Sequence, residues 1–113
     1  MNSRPRNAAV SLSDTNLTAV YTCPTNFTSI VREIILTNID GTSAVDATLK
    51  YTDTSASATF AILSTKSIAA DSYLRLENAY IVLETGDILK AQAGAANDLT
   101  VSVFVEEFHR PQG

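Results

Sequence analysis

The chain has 113 residues, 45% of them hydrophobic, with 8 Lys+Arg against 12 Asp+Glu. That length makes one domain with room for a core that needs no metal or disulfide staple. A net charge of −4, one Cys and one His argue against general nucleic-acid binding, a disulfide framework and any multi-cysteine or His-rich metal site.

The residue mix points to strands. There are 14 Thr and 11 Ser beside 3 Lys and no Trp, and Thr, Val, Ile and Tyr fit a pleated, half-buried surface. Residues 1–14 read as an extended N-terminal arm. Arg4 and Arg6 make it basic, and Pro5 between them discourages regular pairing. Residues 15–113 read as a single β-sandwich domain. No apolar run approaches the ~20 residues that span a bilayer, and residues 1–10 lack the apolar stretch of a secretory signal. No membrane partner is expected.

From Thr18 onward the period is two. Residues 18–23 form a short strand ended by Pro24, and residues 28–38 form the longest apolar one. Asp40-Gly41 marks a turn. In residues 45–53, Val45, Ala47, Leu49 and Tyr51 face one way, and Asp46, Thr48, Lys50 and Thr52 the other. Residues 59–64 make another strand. Residues 66–76 read as two short strands bent around Ala70-Asp71, and residues 80–83 as one more. Glu84-Thr85-Gly86-Asp87 is a hairpin turn in which Gly86 takes the positive φ. Residues 88–93 pair back, and residues 99–108 close the chain. About eight strands at roughly 10-residue spacing predict an all-β fold: an antiparallel, two-sheet, jelly-roll-like β-sandwich.

Two strands carry more apolar surface than a monomer needs. In the last, Leu99, Val101, Val103 and Val105 supply a core face, yet Phe104 and Phe108 lie on the other. In the long strand, strict alternation puts Ile30, Ile34 and Leu36 on one face and Val31 and Ile35 on the opposite one. An apolar second face marks an interface. The candidate contacts with another copy or a partner protein are therefore Val31, Ile35, Phe104 and Phe108, with Arg4 and Arg6 of the arm.

Catalytic signals are missing. The four glycines, Gly41, Gly86, Gly94 and Gly113, form no phosphate loop, and no Ser sits in a nucleophile elbow. The Asp residues fall in turns, where they bond local backbone. Glu106-Glu107 reads as a solvated pair, Cys23 as a small buried hydrophobe, and His109 as part of a solvated tail. The expectation is a non-enzyme without cofactor or metal.

Three segments, in this order and spacing, carry a resemblance: Val20-Tyr21-Thr22-Cys23-Pro24, then Ser29-Ile30-Val31-Arg32-Glu33-Ile34-Ile35-Leu36-Thr37-Asn38, then Ile81-Val82-Leu83-Glu84-Thr85-Gly86-Asp87-Ile88-Leu89-Lys90-Ala91. Together they resemble small virion proteins of tailed bacteriophages, notably those of aquatic hosts such as cyanobacteria. The resemblance implies an all-β structural protein of the particle and brings no catalytic residues. The leading expectation is a capsid decoration or cement protein that clamps neighbouring coat subunits. The alternative is a tail, baseplate or fibre module binding a host receptor or glycan. The expected partners are the chain itself, as a trimer before a dimer because the resemblance points to particle-like symmetry, and a major capsid or other virion protein. The expected location is the virion surface, after synthesis in the bacterial host cytoplasm. The acidic balance suits an outer position better than a wall facing packaged DNA.

Overall fold

The structure, a computed structural model, describes residues 3–110. Eight strands run in chain order: β1 (Ser3–Ser11), β2 (Thr18–Thr22), β3 (Phe27–Asn38), β4 (Val45–Asp53), β5 (Ala58–Ile68), β6 (Tyr73–Leu83), β7 (Ile88–Ala93) and β8 (Leu99–His109). They form two four-stranded sheets, ordered β1-β8-β3-β6 and β2-β7-β4-β5. Every pairing is antiparallel. β1 pairs β8, β2 pairs β7, β3 pairs β6 and β4 pairs β5, so the chain is one long hairpin rolled up, with successive pairs alternating between the two sheets. Eight strands in a two-sheet antiparallel sandwich are what the turn spacing predicts.

Alternation builds the core. Leu99, Val101, Val103 and Val105 of β8 and Val45, Ala47 and Leu49 of β4 are all buried, as are Leu89, Ala91 and Ala93 of β7. Burying one such aliphatic side chain contributes about 1.5–3 kcal/mol. Two buried polar side chains tie loops at opposite ends. Asn38 Nδ2 donates to the carbonyls of Ser43 and Ile68 at 3.0 Å each, and its Oδ1 accepts from Asp40 N at 2.9 Å. Asp87 Oδ1 accepts from the backbone N and hydroxyl of Thr54 at 3.0 Å each, and Oδ2 accepts from Glu84 N at 2.9 Å. Gly86 sits at φ +86° in that turn, where only glycine is unstrained.

Three segments depart from the sequence reading. Of the residues expected as an arm, Ser3–Ser11 is β1, an edge strand in register with β8 along its whole length. Leu12 just after it is 1% exposed and its backbone N–H donates to Leu99 O at 2.9 Å; Met1 and Asn2 lie outside the described residues. The strand expected at residues 59–64 and the one after it are a single strand, β5, bent at Thr65 with φ 45°. Likewise the strands expected on either side of residue 78 are one strand, β6, in which Asn78 and Tyr80 take φ 53° and 48°. Local irregularities that read as chain breaks are bulges, because the neighbouring strand keeps pairing past them.

Candidate assembly face

The outer face of the β1-β8-β3-β6 sheet owes its shape to a bulge shared by β3 and β6. Register shifts between Val31 and Glu33 on both sides of β3. Arg32 is the extra residue, and the excursion at Asn78 to Tyr80 accommodates it on β6. One inserted residue reverses which side chains face inward. Val31 therefore lies inside with Ile34 and Leu36, all 0% exposed. Ile30 and Ile35 point outward, in register with Glu106 and Ser102 of β8. This corrects the strict alternation: Val31 is a core residue and lines no surface.

The remaining candidates fall into two groups. Ile35, Phe104 and Phe108 share the outer face. Ile35 and Phe108 are half-buried, and Phe104 is 37% exposed. Arg4 and Arg6 sit on the inner side of β1, where both reach Glu107. Arg4 Nε donates to Glu107 Oε1 at 2.6 Å and Arg6 Nε lies 3.6 Å from the same oxygen. The Arg4 guanidinium also stacks over the Phe27 ring, 4.2 Å from its centroid.

Glu107 is not solvated, contrary to the sequence reading. It is 3% exposed and accepts the Tyr21 hydroxyl proton as well as Arg4. Ser29 Oγ lies 2.7 Å from Tyr21 Oη and donates to Cys23 Sγ at 3.2 Å. Burial pushes the Tyr21 phenol up, and its bond to Glu107 adds to the rise. Burial also pushes up the Cys23 thiol, which keeps it unreactive. The cluster joins β1, β2 and β8 and spans both sheets. Its partners are satisfied, so it serves cohesion.

Around Phe104 the sheet carries residues that periodicity did not single out. Glu106 accepts from Arg32 Nε at 2.7 Å and from Ser3 Oγ at 3.0 Å. The Arg32 guanidinium, and then Ser3, hold its carboxyl below the usual carboxylate range. Arg32 also lies over the Tyr80 ring, 5.7 Å from the centroid. Tyr80 is 62% and Val82 49% exposed. Between β1 and Arg32 runs an open groove of ≈ 680 Å³ lined by Pro5, Arg6, Asn7, Arg32, Phe104 and Glu106 among others. A positive φ at a bulky residue such as Tyr80 is an outlier that the surroundings must hold in place. The one signal for it in the sequence is Asn78, since Asn tolerates the left-handed region. Exposed aromatic, aliphatic and arginine side chains around a groove match the make-up of interface anchors. Among the described residues no His/Cys/Asp/Glu group is arranged to hold a metal ion.

No family model matches the sequence, and no curated protein matches it. Solved structures do match its shape. One is from the acidic stable capsid structure of the Helicobacter pylori bacteriophage KHP30, with a TM-score of 0.56 and 12% identity over 96% of this chain and 89% of that one. A second comes from Bacillus endospore appendages, a family of disulfide-linked pili, with a TM-score of 0.57 and 12% identity over 96% and 89%. A third is the Drosophila NLP core, a structure concerned with pentamer formation and histone binding, with a TM-score of 0.55 and 9% identity over 95% and 99%. At these identities the likeness is one of fold: the two-sheet sandwich is shared across nearly the whole of each chain.

Proposed function

We propose that this chain is a non-enzymatic structural protein of a tailed-phage particle. It acts as a capsid decoration or cement protein, assembling with itself and clamping neighbouring coat subunits. The observation that carries the reading is the outer face of β1-β8-β3-β6, where Phe104, Tyr80 and Val82 stay exposed although the sandwich fills its core without them. Single exposed apolar residues are ordinary, but a cluster around a groove marks an interaction surface. That proteins of a phage capsid, a pilus and a pentamer share the fold supports a role in assembly. A trimer remains the favoured state, from the resemblance to virion proteins. The exposed first half of β1, with Arg4 and Arg6, is the proposed contact with the coat.

Light scattering of the purified protein at tens of micromolar should give a closed oligomer. Phe104→Ser should loosen it about tenfold or more and leave the fold intact. Added to coat shells that lack it, the wild-type protein should bind at symmetry-related positions visible by electron cryomicroscopy. A monomer that ignores such shells would overturn the reading. A second reading, a tail module that binds a glycan, has one observation in its favour. Tyr73 and Tyr80 of β6 are 63% and 62% exposed and offer rings for stacking on sugars. Binding to host cells but not to coat shells would select it.

A further inference from the structure

The outer side of β2-β7-β4-β5 holds a second cavity, beside two lysines that have no acidic partner. The cavity measures ≈ 330 Å³ and is lined by Thr15, Asp46, Thr48, Thr65, Gln92 and Gly94 among others. A bulge builds one wall. Register between β4 and β5 shifts between Ala47 and Leu49, where β5 has one residue more than β4. Thr65, at φ 45°, gives its N–H to Thr48 Oγ1 at 3.0 Å instead of to the ladder. Bulges re-aim side chains in this way beside functional sites. Opposite, Gln92 Nε2 donates to Thr15 O at 2.9 Å and ties its amide to the loop after β1. At the floor, Gly94 N–H donates to Asp46 O at 2.9 Å, and a Cβ on Gly94 would lie 3.3 Å from the Asp46 Cβ.

The charges lie along the same two strands. Thr48 is in register with Gln92, and in the next outward row, about 7 Å on, Lys50 is in register with Lys90. Both lysines are half-buried, and the neighbours that end their row are the exposed Ala19 and Ala61. Every ion pair among the described residues is made by an arginine, Arg4, Arg6, Arg32 or Arg75. The two ammoniums therefore face each other uncompensated on a protein of net charge −4. Like charges directly opposite cost a strand pair stability, and a negative group bridging both would remove that cost. Asp46 marks the other end, four residues from Lys50 and about 13 Å away along β4. It is exposed, and its carboxylate joins none of those ion pairs.

A concave wall of hydroxyl, amide and carboxylate groups suits a ligand rich in hydroxyls. The lysine pair asks for a negative charge at one end. The Asp46 carboxylate repels one at the other end and accepts hydroxyl protons there. We infer that this face binds an acidic saccharide of two or more units. One sugar lies in the cavity with its hydroxyls on Asp46, Thr65 and Gln92, and the carboxylate of the next bridges Lys50 and Lys90. The site stands on the sheet opposite the proposed assembly face, so it does not rest on that reading.

Isothermal titration calorimetry with trigalacturonate, its fully methyl-esterified form and inorganic phosphate tests this. Trigalacturonate should bind, and more weakly as salt rises. The ester, the same backbone without charge, should bind about tenfold or more weakly, and so should phosphate, which offers charge without the sugar. Lys50→Thr and Lys90→Thr keep strand-forming residues and relieve the like-charge pair, so both should fold; each should cost about tenfold in affinity for trigalacturonate. Gln92→Ala should weaken binding of the acid and the ester alike. Phe104→Ser, on the opposite sheet, should change nothing. An ester that binds as well as the acid would overturn the inference, as would phosphate that matches trigalacturonate, or trigalacturonate that fails to bind. Each of these results leaves the assembly reading standing.

Discussion

The outer faces of the two sheets obey the same alternation and have different characters. On β2-β7-β4-β5 the outward residues of β4 and β7 include Lys50, Thr52, Lys90 and Gln92. Lys50 stands directly opposite Lys90, and Thr52 Oγ1 lies 2.9 Å from Thr59 Oγ1. On β1-β8-β3-β6 the outward residues include Ile30, Ile35, Phe104 and Val82, with arginine–carboxylate pairs among them. A sandwich needs only its inner faces to be apolar. The first face is what solvent asks of a sheet. The second carries apolar side chains and a strained backbone that the fold does not require, which is why the proposed assembly role is placed there.

Breaking the inner side should abolish the comparison altogether. Val103→Asp places an unpaired charge at a 0% exposed site and should prevent folding, with a loss above about 4 kcal/mol. Circular dichroism should then show no native sheet. Ser102→Asp, one residue away and facing outward, should fold normally.

Glu107→Ala should come next. It leaves Arg4, Arg6 and the Tyr21 hydroxyl without their shared acceptor. The arginines are about half exposed, so solvent recovers part of the loss, and about 1–3 kcal/mol is expected in urea unfolding. A Glu107→Gln variant should recover less than half of it.

Tyr80→Asn should separate stability from assembly. Relief of the left-handed strain should raise stability by about 0.5–1 kcal/mol while self-association falls. A variant that lost both would mean that Tyr80 holds the β3–β6 bulge together.

The smallest effects concern charge. Lys50→Thr removes a like-charge pair and should stabilise by about 0.2–0.5 kcal/mol without touching assembly. Acidification acts on the other face. The Glu106 carboxyl is held low by Arg32, so its bond to Arg32 is present above the ordinary glutamate range. That bond is lost as the pH falls through the lowered value. Self-association measured down this range should weaken in wild type and change less in Glu106→Gln.

Much of this was legible along the chain. The alternation at Val45 to Tyr51 and at Leu99 to Val105 named core residues correctly, and Phe104 does stand outside its own sandwich. The turns at Asp40-Gly41, Ala70-Asp71 and Glu84 to Asp87 lie where Gly and Asp mark them. The exchange of Ile30 and Val31 between faces was not legible. Nor was the burial of Glu107, whose hydrogen-bond donors come from β1 and β2, more than eighty residues away along the chain. Pro5 in β1 also misled, because an edge strand tolerates a proline that a central strand would not.

Period, turn chemistry and strand preference are properties of neighbouring residues, so the amino-acid sequence by itself determined an all-β sandwich of about eight strands and most of its core. Phase is a different quantity. One residue inserted at Arg32 reverses every inward and outward assignment beyond it, and only the strands on either side decide where that residue is accommodated. The face that carries Arg32, Tyr80 and Phe104 was therefore settled by tertiary pairing, because hydrogen bonds between β3, β6 and β8 choose the register that local preference leaves open.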